Sequence, residues 1–506
     1  MISYHKLLLY FHTIRYLKWT QIQHRLCLKL FHPHPDFSPA PETNVIKSKV
    51  PFPSMPICYL GNNRFRFLNE ECFFTEWNDK SRNKLWLYNL HYFDWLRQKD
   101  ISQKEGEYWI EKWIAENQAP IGSGWEPYTL SLRIVNWIKW HLSGHLLSCK
   151  AQHSLAVQVR FLMKRLEYHL LANHLIANAK ALIFAGRFFT GPEAKKWLDK
   201  GMKIYREELV KQILADGGHF ELSPMYHSII LEDLLDLKNI HAPIELDEYI
   251  TKMLRWLAVM TGPDGKISFF NDASHGIALN ADIIEDYGKR LGFKSEATTC
   301  SVDLPQSGYS RLQNDHFVCI CDTGNIGPSY QPGHSHADAL SFELWKNNRK
   351  ILTNCGTGHY TDSFERRFQR SSAAHNTLLL DENNSSEVWS AHRVARRGKI
   401  LKRSFHSNSC AGVFRTWQGI TCIRSWQLEN DGSITVKDKV LGKETHTLSF
   451  VFHPLAPDIK IDSEPQLIPE RMSAIYSPEF GKYNHIESVY FTKKSQLPFT
   501  IKFRIS

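Results

Sequence analysis

His334, His336 and Asp338 stand two residues apart in QPGHSHADALSFEL (331–344). Just after them Leu340, Phe342 and Leu344 alternate with smaller or charged residues, which is the period of a β-strand. Side chains two apart on a strand share a face. The two imidazoles and the carboxylate are therefore expected to point one way, at the mouth of that strand. Such a set can hold a metal, exchange protons with a substrate, or do both.

Three other places put polar chemistry inside apolar patterns. In ANHLIANAKAL, Asn173 and His174 are expected within a helix, with Asn178 one turn beyond His174. Either they serve a ligand or one of them bonds a neighbouring loop. In DGGHFELSPMYHSIILEDLLDL, the residues His219, Glu221, Tyr226 and His227 fall where a loop enters a helix, with Ser223-Pro224 as its start. In GPDGKISFFNDASHG, Asn271, Asp272 and His275 follow a Gly-containing turn. The segment TNCGTGHYTDSFERRFQRSSAAHNTLLLD then adds Asn354, His359, Tyr360, Arg366, Arg370 and His375 to the histidine stretch.

The elements that must position these groups change character along the chain. From about residue 85 to residue 289 the apolar period is helical. WEPYTLSLRIVNWIKWHL sets Leu130, Ile134, Trp137 and Ile138 on one stripe. LEYHLLANHLIANAKALIFAGRFF sets Leu166, Leu170, Ile176 and Leu182 near its buried side. Helices of similar length joined by short loops suggest helical hairpins in a toroid or solenoid, and no strict sequence repeat favours a regular solenoid. After about residue 300 come short runs rich in β-branched and aromatic residues, such as HFVCICD, NTLLLD and ITVKDKVL. LENDGSITVKD carries a hairpin signal at Asn430-Asp431-Gly432. The chain is expected to be a helical toroid followed by an antiparallel β-sandwich. The expected boundaries are 1–56 for a basic helix and Pro-rich loop packed on the toroid, 57–300 for the toroid, and 301–506 for the sandwich.

At 506 residues the chain is too long for one core, which agrees with several domains. The formal charge of +10 favours an anionic partner. Its basic residues are dispersed and no nucleic-acid module is present, so no nucleic acid is expected. Most of the 63 aromatic residues (15 Trp, 19 Tyr and 29 Phe) are expected in the core, the rest being available as platforms for sugar rings. The 10 cysteines form no C-x-x-C pair, which points to buried or reduced thiols. No acidic residue precedes Asp36, while Lys6, Arg15, Lys18, Arg25 and Lys29 do. Residues 1–30 are expected either to pack on the protein or to lie on an anionic membrane face. The longest apolar run there, LLLYF, is too short for the core of a signal peptide, so a cytoplasmic location is expected.

In order, the motifs are N-H in a helix, S-P-x-Y-H, G-H-x-H-x-D-x-L-S-F, G-T-x-x-Y and R-x-x-x-A-H-N-T. Together they resemble the heparinase II/III and alginate-lyase superfamily of polysaccharide lyases across residues 85–400. The resemblance implies an incomplete (α/α) toroid plus a β-sandwich, with ligands in the cleft between them. It implies β-elimination at a uronic acid of an anionic polysaccharide or oligosaccharide. Asn173, with His174, would meet the carboxylate. Tyr226 would act as base, acid or both, with His334 as partner. Glu221, His227, Tyr360, Arg366 and Arg370 would contact substrate. The resemblance also implies a structural zinc held by His336, His375 and the residue at Asn354, where the family has Asp. An amide is a weaker zinc ligand than a carboxylate. Either Zn2+ is bound there, with Asp338 or His359 as a substitute, or the three form a metal-free hydrogen-bond network. Asp338 is expected to orient one of the histidines. Members lacking a signal peptide resemble proteins of capsule or O-antigen assembly, which gives the alternative of modifying or binding a nascent surface polysaccharide. A glycan-binding scaffold without catalysis is the third reading.

Overall fold

The computed structural model describes residues 4–294, 298–456 and 458–506. Residues 1–3 of the expected N-terminal helix and 295–297 beside the expected domain boundary lie outside these. α-Helices run from Lys84–Tyr92 to Ala281–Arg290, and their apolar faces meet in one core. Trp95, Trp109, Trp113 and Trp137 are fully buried there, as the aromatic count led one to expect. The helices begin where the sequence supplies caps. Ser102 and Glu105 form a capping box on Gln103–Glu116, and Ser223 caps Pro224–Asn239 with Pro at the first position. Helix Ala172–Phe188 folds back on Gly191–Gln212 at very short range. A Cβ on Gly201 would stand 2.8 Å from the Ala179 carbonyl oxygen, so only glycine permits that approach.

From Val302 the chain is built of antiparallel strands. A five-stranded meander from Val302–Leu304 to Arg349–Leu352 comes first. A six-stranded and a four-stranded sheet follow, and one core is shared by all three, from Phe317 and Leu344 through Trp426 and Val436 to Phe450 and Phe491. The hairpin anticipated at Asn430-Asp431-Gly432 joins Thr421–Leu428 to Ile434–Leu441 with Leu428 opposite Ile434. The fold is a helical toroid followed by a β-sandwich.

Two places depart from the expected elements. Leu166 and Leu170 lie in a loop, because Leu171 and Ala172 take positive φ (64° and 52°) and helix Ala172–Phe188 begins only there. The strand after the histidine stretch is Phe342–Lys346. His334, His336 and Asp338 precede it in a loop that Leu340 closes at φ 59°.

A third apolar cluster joins the two parts. Leu222, Trp256, Met260 and Phe270 meet Tyr309, Ile320 and Trp345. Polar contacts cross the same seam, among them Trp256 Nε1 to Ser307 Oγ (2.9 Å) and Tyr309 OH to the Leu222 carbonyl (2.7 Å). The N-terminal segment forms two helices, Tyr4–Ile14 and Trp19–Leu30, laid across both parts. Gln21 Nε2 donates to the carbonyls of Leu170 and Tyr330, Trp389 Nε1 donates to Thr13 Oγ1, and Tyr10 meets the Trp389 ring edge-on. Leu7, Phe11 and Ile14 face outward. No described helix is long and apolar enough to cross a membrane.

One charged network sits in the middle of the toroid. Lys180 Nζ reaches Asp233 (2.6 Å) and Asp236 (2.5 Å), Lys139 pairs with Asp236, and Arg97 with Glu232 (2.7 Å). Removing one partner leaves an uncompensated buried charge. Lys180→Met is therefore expected to cost about 3–5 kcal/mol, read as a fall in the denaturation midpoint at neutral pH. A loss under about 1 kcal/mol, typical of an exposed pair, would contradict the network's structural role.

Candidate active site

Three short segments meet at a cavity of about 990 Å³ between the helical part, the β-part and the N-terminal helices. The first is the start of helix Ala172–Phe188. Leu171 is at φ 64°, ψ −150°, a conformation strained for any residue with a Cβ. That turn puts Asn173 and His174 on the first helical turn and at the cavity wall, rather than mid-helix as expected. His174 Nδ1 bonds Glu167 Oε1 (3.1 Å), Asn178 holds the same carboxylate through Oε2 (2.9 Å), and the Tyr128 ring lies 4.6 Å from the imidazole. Burial would lower the His174 pKa, but the Glu167 carboxylate outweighs it, so the imidazole binds its proton more tightly than usual.

The second segment is 219–226. Leu222 is left-handed (φ 59°), which turns the chain between Glu221 and the cap Ser223. Tyr226 then stands on the first turn of its helix with its hydroxyl 3.0 Å from that of Tyr360 and its ring 3.9 Å from the His334 ring. Burial, the neighbouring Tyr360 and Asp272 push its phenol pKa well up. Glu221 lies behind this wall. Its Oε1 accepts the Asn173 N–H (3.3 Å), and its Oε2, without a hydrogen bond, is 3.7 Å from His334 Nε2.

The third segment carries Asp272, next to left-handed Asn271 (φ 56°). Its oxygens accept from His334 Nδ1 (2.9 Å), His336 Nε2 (2.8 Å) and both terminal nitrogens of Arg366. Burial would raise this carboxyl, but Arg366 and the two histidines hold it well below the usual range. A carboxylate only accepts, so the protons sit on His334 Nδ1 and His336 Nε2. Asp272, not Asp338, orients the two histidines. Asp338 instead accepts the Asn271 N–H (3.0 Å).

His336 Nδ1 faces His375 Nε2 at 3.2 Å. His375 Nδ1 donates to the Ser371 carbonyl (2.7 Å), so two lone pairs oppose each other and require a cation between them. Burial lowers the pKa of His336 to about 4 and of His375 well below its ordinary value, so a proton does not fill that place near neutrality. Two neutral imidazoles fit a borderline divalent metal. Asn354 is engaged elsewhere: its oxygen accepts the Asn376 N–H (3.1 Å) and its nitrogen donates to the Phe269 carbonyl (2.8 Å). His359 bonds Ser363 Oγ (3.1 Å). Asp272, His334 and His392 also come within 4.8 Å of one another, but the Arg366 guanidinium already sits on that carboxylate.

The remaining expected residues divide. Tyr360 lines the cavity. His227 does not, since it is stacked on Trp256 at 4.2 Å and bonded to the Met253 carbonyl (3.0 Å), and burial lowers its pKa to about 3. Arg366 and Arg370 are buried braces. Arg366 joins Asp272 to the Ala391 carbonyl, and Arg370 joins the Ser335 carbonyl to that of Ser390 (2.9 Å each). Asp272 has no role in the sequence pattern, and Tyr128 and His392 do not stand out in it at all. A lone acid in SFFNDAS, bordered by Phe and Ala, was the available signal for Asp272. Nothing in the spacing around Tyr128 or His392 marks them.

Comparison with known proteins matches the chain to two adjoining family regions. They are the heparinase II/III N-terminus over residues 76–289 and the heparinase II/III-like C-terminal region over residues 296–497. A heparin-sulfate lyase of Bacteroides stercoris is 27% identical over 258 residues, 45% of this chain and 38% of that protein. A heparin-sulfate lyase of Pedobacter heparinus is 26% identical over 322 residues, 58% of this chain and 47% of that protein. The chain thus spans less than half the length of these curated relatives. A crystal structure of heparinase III superposes with a TM-score of 0.67 at 19% identity, over 85% of this chain and 79% of that one. Heparan sulfate lyase from Pedobacter heparinus superposes with a TM-score of 0.57 at 16% identity, over 96% of this chain and 86% of that one. At these identities the structural likeness is one of fold.

The His174–Glu167 pair has a signature in pH. The folded pKa of His174 lies above the ordinary 6.5, so the pair's stabilisation is complete below that value and lost as pH rises through the folded pKa. Glu167→Gln keeps an acceptor for Asn178 and removes the charge that pairs with His174, so it is expected to destabilise the protein where His174 is protonated. The loss should be larger at about pH 6 than at about pH 9, in urea titrations run across that range. A difference independent of pH would show that His174 carries no extra proton.

Proposed function

The chain belongs to the heparinase II/III-like family, and from that premise we propose that it is a polysaccharide lyase that cleaves a uronic-acid-containing anionic glycan by β-elimination within the cavity. One observation carries the reading. Asn173 and His174 from one helix, Tyr226 from another, and His334 and Tyr360 from the β-part line a single cavity.

The proton at C5 of a uronate is a poor acid while its carboxylate is fully charged. Asn173, as an amide donor, and His174, as a cation, would hold that carboxylate and stabilise the enediolate as charge develops. Asp272 keeps the proton of His334 on Nδ1, so Nε2 offers a lone pair for the C5 proton. Tyr226 keeps its own proton, because burial raises its pKa, and a phenol that does so is suited to be the acid. As C5–H breaks, its electron pair forms the C4–C5 double bond. The C4–O bond breaks, and the leaving oxygen takes the Tyr226 proton. Tyr360 would hand on or orient that proton through its hydroxyl contact.

Zinc, when bound by His336 and His375, would supply positive charge and rigidity behind the loop that carries His334. Neither histidine touches the proton path.

The test is the ultraviolet absorbance of the unsaturated uronate while purified protein acts on heparan sulfate, alginate and hyaluronan. A rise is expected with at least one substrate. Tyr226→Phe is expected to lower kcat by about 10²-fold or more, and Asn173→Ala by about 10²–10³-fold. No rise on any of them would overturn the lyase reading. Elemental analysis is expected to find about one zinc per chain in the wild type and none in His375→Ala. A wild type free of divalent metal would overturn the zinc assignment and put a proton between the two histidines instead.

A further inference from the structure

Seven lysine and arginine side chains line the cavity, and four of them are neutralised within the protein. Arg66 pairs with Glu71, Arg97 with Glu232, Lys139 with Asp236 and Lys180 with Asp233. Arg25, Arg393 and Arg397 have no carboxylate partner among the described residues. A ligand therefore meets their charge undiminished.

Two of the three, Arg393 and Arg397, are also held in place by aromatic rings rather than by acids. The Arg393 guanidinium lies 5.1 Å from the Tyr10 ring centre and 4.8 Å from that of Trp389. The Arg397 guanidinium lies 3.8 Å from the Tyr16 ring centre, and its Nε is buried with no hydrogen-bond partner. A guanidinium steadied on a ring face keeps its N–H edge available for an oxyanion. Burial lowers the pKa of Arg25 and, for Arg397, lowers it to about 10, the response of a cation that has lost water without gaining an anion. Tyr10 and Arg25 belong to the N-terminal helices and Tyr16 to the turn between them, outside the residues 76–289 and 296–497 that match the family.

We propose that Arg25, Arg393 and Arg397 form a second anion subsite, for the carboxylate or sulfate of a sugar neighbouring the one held at Asn173. This rests on the lyase reading for the nature of the ligand. Two guanidinium groups presented on rings suit either oxyanion, because both accept paired N–H donors. Deeper in the cavity Arg97, Lys139 and Lys180 are matched by Glu232, Asp233 and Asp236 and contribute no net attraction, so discrimination between charged and neutral neighbouring sugars falls mainly to these three.

The experiment measures binding, in a Tyr226→Phe background whose turnover is expected to be slowed about 10²-fold or more. The probes are a fluorescently labelled unsulfated heparosan tetrasaccharide and its N-sulfated counterpart, titrated by anisotropy at several salt concentrations. Arg25→Gln and Arg393→Gln are each expected to weaken binding about tenfold and to flatten its salt dependence, while Arg393→Lys recovers part of the affinity. Lys399→Gln, an exposed charge outside the cavity, serves as the control and is expected to change nothing. Loss confined to the sulfated probe identifies a sulfate subsite, and loss with both identifies a carboxylate subsite. Arginine variants that bind both probes as the parent does, or a parent that binds neither, overturn the proposal. Arginine-dependent binding without elimination by the wild type would sink the lyase reading and leave the subsite standing. Elimination with arginine-independent binding would do the reverse.

Discussion

A carboxylate sealed away from water stays ionised only where cations and N–H donors reach both of its oxygens, and Asp272 meets that condition through Arg366, His334 and His336. Much of the site's geometry follows. The tautomers of both histidines are set by which nitrogen faces this anion. Arg366 reaches on from Asp272 to the Ala391 carbonyl, so the segment bearing His392 is tied to the same point. The Asp272 backbone is anchored as well: its N–H donates to the His334 carbonyl (2.9 Å), and its own carbonyl accepts from Ser223 Oγ. The residue that bears this buried charge thereby joins the helix of Tyr226 to the loop of His334.

The cavity's two sides have different electrostatic character. Deep in the toroid, Lys139, Lys180 and Arg97 face Glu232, Asp233 and Asp236, and the charges cancel locally. At this depth the network is a matter of stability and shape. The charge of the N-terminal side is not cancelled, and it is carried by residues that arrive from two distant stretches of chain. Trp389 contacts Tyr10 and donates to Thr13, so the arginine-bearing segment 389–397 and the N-terminal helices are placed by each other.

The overall architecture was legible in the sequence because apolar period is a local property. The helical stripe of Leu130, Ile134 and Trp137, the Ser223-Pro224 start and the Asn430-Asp431-Gly432 turn all stand where the pattern put them. The site residues Asn173, Tyr226 and His334 were legible through order and motif, and the structure brings them to one cavity. What escaped depends on conformations that side-chain periodicity does not encode. Leu171 and Leu340 read as members of a helix and a strand, yet each turns the chain in the left-handed region. Asp338 stood nearest the histidines in sequence, whereas Asp272 reaches them from more than 60 residues away. Arg366 and Arg370 carried charges that suit a substrate, but their partners are an internal carboxylate and carbonyls, which only the folded chain reveals.

Leu171, Ala172, Leu222 and Asn271 are all left-handed, and each lies within two residues of Asn173, Glu221 or Asp272. A non-glycine residue held there costs roughly 1–3 kcal/mol, and Leu222 is kept there because its carbonyl receives both Tyr309 and Asn271. Glycine at Leu171 or Leu222 would relax the backbone but would also empty a buried leucine site in an apolar core, at a cost of about 2–5 kcal/mol. The strain is therefore held by packing: the side chain that the turn disfavours is the one that the core needs. A directed-evolution campaign would find little to gain at these two positions, because any residue that eases the backbone leaves a void behind it.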